Sequence, residues 1–188
     1  PLEKSIDLYG QDMMKRSYHI HQYLKKNDFY KKVIIHDFCG IGYYSLLSKK
    51  LGHDFLETEF IINAHGNTRL SDYFNRRFPK DHNALVTYFL EQKSLEYADL
   101  IISPSQFYLD WYKEQGYKLA KSKVIQNILD DNSISNIKSK HKSAKIHLCW
   151  FARVEILKGL SVFLDSIETL MKEVPDLSNE IRLTIIGS

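Results

Sequence analysis

Residues 146–171 read IHLCWFARVEILKGLSVFLDSIETLM, and the fold is decided here. Residues 146–151 form a short apolar run, as a strand would, while Leu160, Phe163, Leu164, Ile167, Leu170 and Met171 recur with the spacing of one face of a helix. Between them stand Arg153, Lys158 and Gly159. This places two cations and a flexible backbone at the carboxyl end of a strand, where an open α/β sheet usually holds its ligand. Such a turn suits an anion: a guanidinium grips two phosphoryl oxygens, a lysine adds a mobile charge, and the next helix offers free N–H groups and a positive dipole. The competing reading is two solvated cations beside an ordinary turn.

The same alternation extends in both directions. Downstream, residues 182–186 (RLTII) followed by Gly187 complete a right-handed βαβ unit. Upstream, residues 31–38 (KKVIIHDF) are a continuous apolar run closing on polar residues, the pattern of a buried parallel strand. The Cys39-Gly40-Ile41-Gly42 turn and a helix over 43–51 follow, then a strand over 59–63 ending at Ala64-His65-Gly66. Residues 67–82 read as a polar connection, 83–98 as a helix and 99–102 as a strand. In Ser103-Pro104-Ser105-Gln106 we expect Ser103 to cap a new helix, with Pro104 at its first position and Gln106 closing a capping box. That helix carries Phe107, Trp111 and Tyr112 to about Gly116, and residues 123–127 make another short strand. A first helix over residues 11–27 shows Met13, Ile20 and Leu24 on one face. Helix and strand alternate throughout, which predicts a doubly wound parallel sheet.

Residues 130–145 are polar and poor in large apolar side chains, and they read as a linker. We therefore expect a first Rossmann-like domain over 1–136, a linker over 137–144 and the beginning of a second domain over 145–188. Both domains are expected to be incomplete, since no strand precedes the first helix and a lone βαβ unit would leave its sheet exposed.

Composition excludes several classes. The 188 residues are 44% hydrophobic and 26% charged, with a net charge of +3, too mild to argue for nucleic acid. No apolar run approaches the roughly 20 residues of a membrane-spanning helix, and residues 1–12 lack the apolar core of a secretion signal, so a cytoplasmic location is expected. Cys39 and Cys149 stand beside apolar residues and read as reduced core thiols. Cations mixed with aromatics over 69–80 and in the first helix fit a peripheral contact with anionic lipid at the inner face of the membrane, or else a solvated face over an aromatic core.

In order and spacing these pieces resemble the middle of a GT-B glycosyltransferase of family 4. Its most specific part is Ala152-Arg153, four residues, Lys158-Gly159. His65-Gly66 after a strand, Glu91 followed by residues 97–105 (YADLIISPS), and residues 124–127 (VIQN) support it. The resemblance implies a retaining transferase that moves a sugar from a nucleotide-diphosphate sugar to a glycan or lipid-linked acceptor in bacterial cell-surface polysaccharide assembly. Neither metal nor cofactor is implied, and no Asp-x-Asp triplet occurs. Arg153, Lys158 and Gly159 would hold the donor diphosphate, and His65 would serve as the catalytic-side histidine facing the donor sugar.

The remaining candidates have two readings each. His65 either bonds a sugar or is a loop histidine that caps a helix. His36, Asp37, Gly40, Gly42 and Gly66 border the acceptor cleft, although Asp37 also reads as a structural carboxylate bonded to backbone N–H groups. Glu91 reads as a hinge or cleft residue or as a paired or solvated helix carboxylate, and Asn127 as a hinge or cleft residue. Two positions depart from the family pattern, Ala152 for glycine and Asn127-Ile128 for Asn-Gly, and they keep a non-catalytic GT-B-like subunit as the alternative. A dehydrogenase fails on detail. Ser45 stands where a dinucleotide fingerprint needs its third glycine, and Asn63-Ala64-His65 where it needs an acidic residue. With half of the donor pocket absent, this stretch alone is expected to bind a nucleotide sugar poorly and to be inactive.

Overall fold

The structure is a computed structural model that describes residues 12–27, 29–128 and 146–187. Its chain divides into two compact units, Pro1–Tyr73 with Arg77–Ile128, and Phe74–Arg76 with Leu129–Ser188. The linker expected over 137–144 lies outside the described residues.

The first unit is a mixed α/β layer. Helix α1 (Asp12–Lys26) precedes β1 (Lys32–His36), a 3₁₀ turn at Phe38–Gly40, α2 (Tyr43–Lys50), β2 (Glu59–Asn63), α3 (Thr68–Phe74), α4 (His82–Tyr97), β3 (Leu100–Ser103), α5 (Gln106–Glu114) and β4 (Ser122–Val124). The four strands are parallel in the order β1-β2-β3-β4, with Ile35 opposite Ile62 and Ile62 opposite Ile101. That order moves steadily one way, so right-handed connections carry α2, α4 and α5 to the same face. Ile35, Phe60, Ile62 and Ile101, on the helix-bearing face, are buried; on the opposite face Ile34, on the edge strand, is 69% exposed, while its partner Ile61 on the inner strand β2 is buried. Among the described residues there is no reversal of strand order, and such a reversal is what would make the sheet doubly wound.

Several local details differ from the expectation. The stretch 67–82 contains α3, whose first turn is tied by Asn67: its Oδ1 accepts from the Leu70 N–H at 2.9 Å, the geometry of an N-cap. Helix α5 starts two residues later than expected. Ser103 ends β3 and gives its hydroxyl proton to the Ser105 carbonyl at 2.8 Å, so Ser105 becomes the cap and accepts from Phe107 N–H. Gln106 bonds forward to Asp110 at 2.7 Å and closes no capping box. The inner face of α1 holds Ser17, His21 and Leu24, and Ser17 Oγ accepts from Tyr44 N–H at 3.1 Å, satisfying a donor in the first turn of α2 from outside that helix.

The second unit, as described, is one βαβ turn. Strand β5 (Ile146–Phe151) pairs in parallel with β6 (Ile181–Ile186) through α6 (Leu160–Glu173) and a 3₁₀ turn at Pro175–Asn179. Trp150 and Ile167 are its buried apolar residues, while Phe151 is 79% exposed and Leu183, Ile185 and Ile186 are also open. The thiols correct an expectation too: Cys149 is exposed on β5, and Cys39 is half-buried in its turn. Among the described residues no helix is long and apolar enough to cross a membrane.

Gly40 fixes how closely α4 approaches β1. A Cβ there would lie 2.3 Å from Leu90 Cβ and 2.7 Å from the Leu90 carbonyl carbon, and φ is already +58°. We expect Gly40→Ala to cost about 3 kcal/mol or more in urea unfolding, because helix backbone cannot give way. Gly52→Ala is the control, with equally positive φ but open space around it, and should cost about 1 kcal/mol.

Candidate functional site

Loops at the carboxyl ends of parallel strands carry ligands because several chain turns converge there with free backbone groups. In the first unit two buried carboxylates organise them. Asp37, directly after β1, is 1% exposed. Its Oδ1 accepts from His65 N–H and its Oδ2 from Gly66 N–H, each at 3.1 Å, and Oδ2 also accepts from the Tyr112 hydroxyl at 2.6 Å. Glu91, in α4, is fully buried, and its Oε1 accepts from Cys39 N–H at 2.8 Å, from Thr68 N–H at 3.0 Å and from the Thr68 hydroxyl. The two loops after β1 and β2 are thus fastened to α4 and α5 through two side chains.

Each partner is itself held. Tyr112 stacks on Tyr117 with ring centroids 5.3 Å apart, Trp111 packs edge-on against Tyr112 at 5.5 Å, and the Arg69 guanidinium lies 5.6 Å from the Tyr117 ring centre. The Tyr112 oxygen also accepts from the Asn67 N–H at 3.2 Å. Cys39 sits at φ +64°, a left-handed conformation costly for a side chain with a Cβ, and its N–H is the one that Glu91 holds.

Burial dominates the electrostatics. It pushes the Glu91 carboxyl up to about 7, against the bonds from Thr68 and Cys39 that favour the charged form, and the nearby Asp37 charge pushes the same way. Burial likewise raises Asp37, opposed by the bonds from Tyr112, His65 and Gly66. Tyr112 is raised by burial and then by the Asp37 charge beside it, so it remains a donor. Among the described residues no ion pair includes Asp37 or Glu91.

Placement separates the sequence candidates by what they can touch. His36 and His65 are exposed at the ends of β1 and β2. Gly66, at φ +111°, lies against the Tyr108 ring. Asp37, Glu91 and Gly40 are buried, and their groups are spent on the protein; Gly42 packs on Ile35 and Leu46. Asn127 is exposed beyond β4, as are Arg77, Phe78 and Lys80 before α4. Sequence reasoning passed over Tyr112, Thr68 and Asn67. Only Asn67 left a readable signal, a capping residue before an Arg-Leu turn.

The second unit holds the cationic turn. Arg153 is exposed, and its Nη1 lies 3.3 Å from Glu155 Oε1. The Lys158 N–H donates to the Glu155 carbonyl at 3.0 Å, and Gly159, at φ +73°, caps α6. Lys158 is exposed. Gly187 holds this loop against the end of β6, since a Cβ there would lie 2.3 Å from the Ala152 carbonyl oxygen. The turn therefore presents two cations and an uncapped helix start, with one carboxylate already drawing on the guanidinium. No protein-family model matches this chain, and no curated protein does.

The buried glutamate makes stability depend on pH in a definite direction. Its carboxyl titrates at about 7 when folded and near 4.5 when unfolded, so between those values the folded chain holds the extra proton. Stability contributed here is full below pH 4.5, falls by roughly 3 kcal/mol as pH rises to about 7, and is then flat. Asp37 acts in the same sense. Urea unfolding from pH 5 to 8 should show this fall, and Glu91→Gln should flatten it; parallel profiles for the two proteins would contradict the assignment.

Proposed function

We propose that this chain belongs to a retaining, GT-B type glycosyltransferase that moves a sugar from a nucleotide-diphosphate donor to a glycan or lipid-linked acceptor. The observation that supports it most is the turn after β5, in which Arg153 and Lys158 are exposed and follow one another, between the carboxyl end of a parallel strand and the start of α6. A nucleoside diphosphate leaving a sugar builds negative charge on its outer phosphate. Cations fixed in advance at that point stabilise the transition state more than the ground state. Arg153 supplies a planar pair of donors, Lys158 a mobile charge and the helix start free N–H groups.

In this reading the first unit contributes the acceptor side. His65 is exposed, and Asp37 fixes its backbone and leaves the imidazole open to a sugar hydroxyl. His36 stands on the neighbouring strand end. The residues spent on the protein, Asp37 and Glu91, act by holding these loops and do not touch substrate. The Arg153–Glu155 pair favours the other reading, a subunit that binds weakly and does not turn over, because any phosphate must displace a carboxylate already 3.3 Å away.

Titration calorimetry at low salt with nucleoside diphosphates separates the possibilities. Arg153→Ala should weaken binding by about 10-fold to 100-fold, as expected for charged hydrogen bonds. Glu155→Gln should strengthen it by up to about 5-fold, the worth of an exposed ion pair. Transfer from a nucleotide sugar should fall about 10²-fold or more in Arg153→Ala. Binding that ignores both substitutions would overturn the site, and transfer that survives Arg153→Ala would overturn its part in the reaction.

A further inference from the structure

We propose that Glu91 is a proton-operated latch: gain or loss of one proton at its carboxyl changes how firmly the loop after β2, which presents His65, is fastened to the loop after β1. The latch concerns that loop whatever ligand the loop meets, and it stands apart from the sugar-transfer reading.

Ionised Glu91 accepts from three donors on two separate segments, the Cys39 N–H of the turn after β1 and the N–H and hydroxyl of Thr68 at the start of α3. A carboxylic acid brings a proton of its own that must be given away, and buried donors do not stay unpaired. The Thr68 hydroxyl oxygen, already bonded to Oε1, can accept it. On protonation that bond reverses, the Thr68 hydroxyl proton must turn elsewhere, and the carboxyl becomes a weaker acceptor for both N–H groups, since bonds to ionised groups are the strong ones. Residues 64–67 lie between Thr68 and β2, so slack at Thr68 is passed to His65 and Gly66, which Asp37 holds from the other side.

The surroundings allow this carboxyl to take up and release a proton. Facing it are Asp37 from the loop after β1, Cys39 from the 3₁₀ turn, Tyr88 on its own helix, Tyr112 on α5 and Tyr117 beyond α5. Each is neutral or negative. The cations that bear on this neighbourhood act on its rim, Arg16 of α1 on Cys39, and Arg69 of α3 on Tyr88 and Tyr117. Burial opposes the charge on Glu91, whereas the three donors favour it, and the balance brings its titration to about 7. The tyrosines and Cys39 are all raised away from that range, while burial raises Asp37 toward it, so Glu91 and Asp37 are the two buried carboxyls here whose charge answers to a rise in pH.

Amide chemical shifts of Cys39, Gly66 and Thr68, followed by NMR from pH 5.5 to 8.5, test the latch. A His65→Gln background removes the neighbouring imidazole. We expect the three amides to share one midpoint near 7, to lose it in Glu91→Gln, and to show a higher midpoint in Thr68→Val, because the bond that change removes from the ionised form is stronger than the reversed bond it removes from the acid. Should Glu91→Gln fail to fold, the direction of the Thr68→Val shift decides. Flat amide shifts in the parent, a midpoint that survives Glu91→Gln, or an unmoved midpoint in Thr68→Val would each overturn the proposal.

Discussion

Two carboxylates without cations, set where the chain turns after β1 and inside α4, are the constraint on which the first unit depends. A backbone N–H at a strand end has no ladder partner, and burying it bare costs about 1–3 kcal/mol. Asp37 and Glu91 accept four such N–H groups between them, from Cys39, His65, Gly66 and Thr68. Because each carboxylate binds donors from different turns, it also sets the distance between those turns. Gly40 makes this possible by letting α4 run against the turn, which puts Glu91 within reach of Cys39. The cost is two negative charges in a poorly solvated place, visible in the upward push on both.

Except for β4, expected over 123–127 but formed by Ser122–Val124, the parallel strands were legible because short runs rich in Ile, Val, Leu and Phe between polar turns leave little else to be. Residues 59–63 and 146–151 match their strands without adjustment. Helix α3 was hidden by its shortness: in TRLSDYF the apolar residues Leu70, Tyr73 and Phe74 span little more than one turn, too short a stretch to establish a period. Sheet order was not legible either. Alternating helices and strands describe a singly wound progression and a doubly wound sheet equally well, and only pairing distinguishes them.

The site was legible where chemistry lies in local order and illegible where it lies in contact. Arg153, Lys158 and Gly159 sit within seven positions, and the turn they form brings both cations to the surface. Asp37 reads as either a cleft residue or a backbone-bonded one, and Glu91 as an ordinary helix charge. Both ambiguities end only when Tyr112, 75 residues from Asp37, and Cys39, 52 residues from Glu91, come into contact. Nothing local marks a glutamate as buried, since the helix that carries it shows Thr87, Leu90, Glu91, Ser94 and Leu95 as one inward face of mixed polarity.

Native-state amide hydrogen exchange at His65 and Gly66 tests the central claim most directly. Both amides belong to a loop and should exchange quickly unless the Asp37 carboxylate holds them. The account predicts protection comparable to Phe60 and Ile62 in the sheet, so that these amides open only with the unit as a whole. Exchange at the rate of an exposed loop, with the sheet amides still protected, would contradict it.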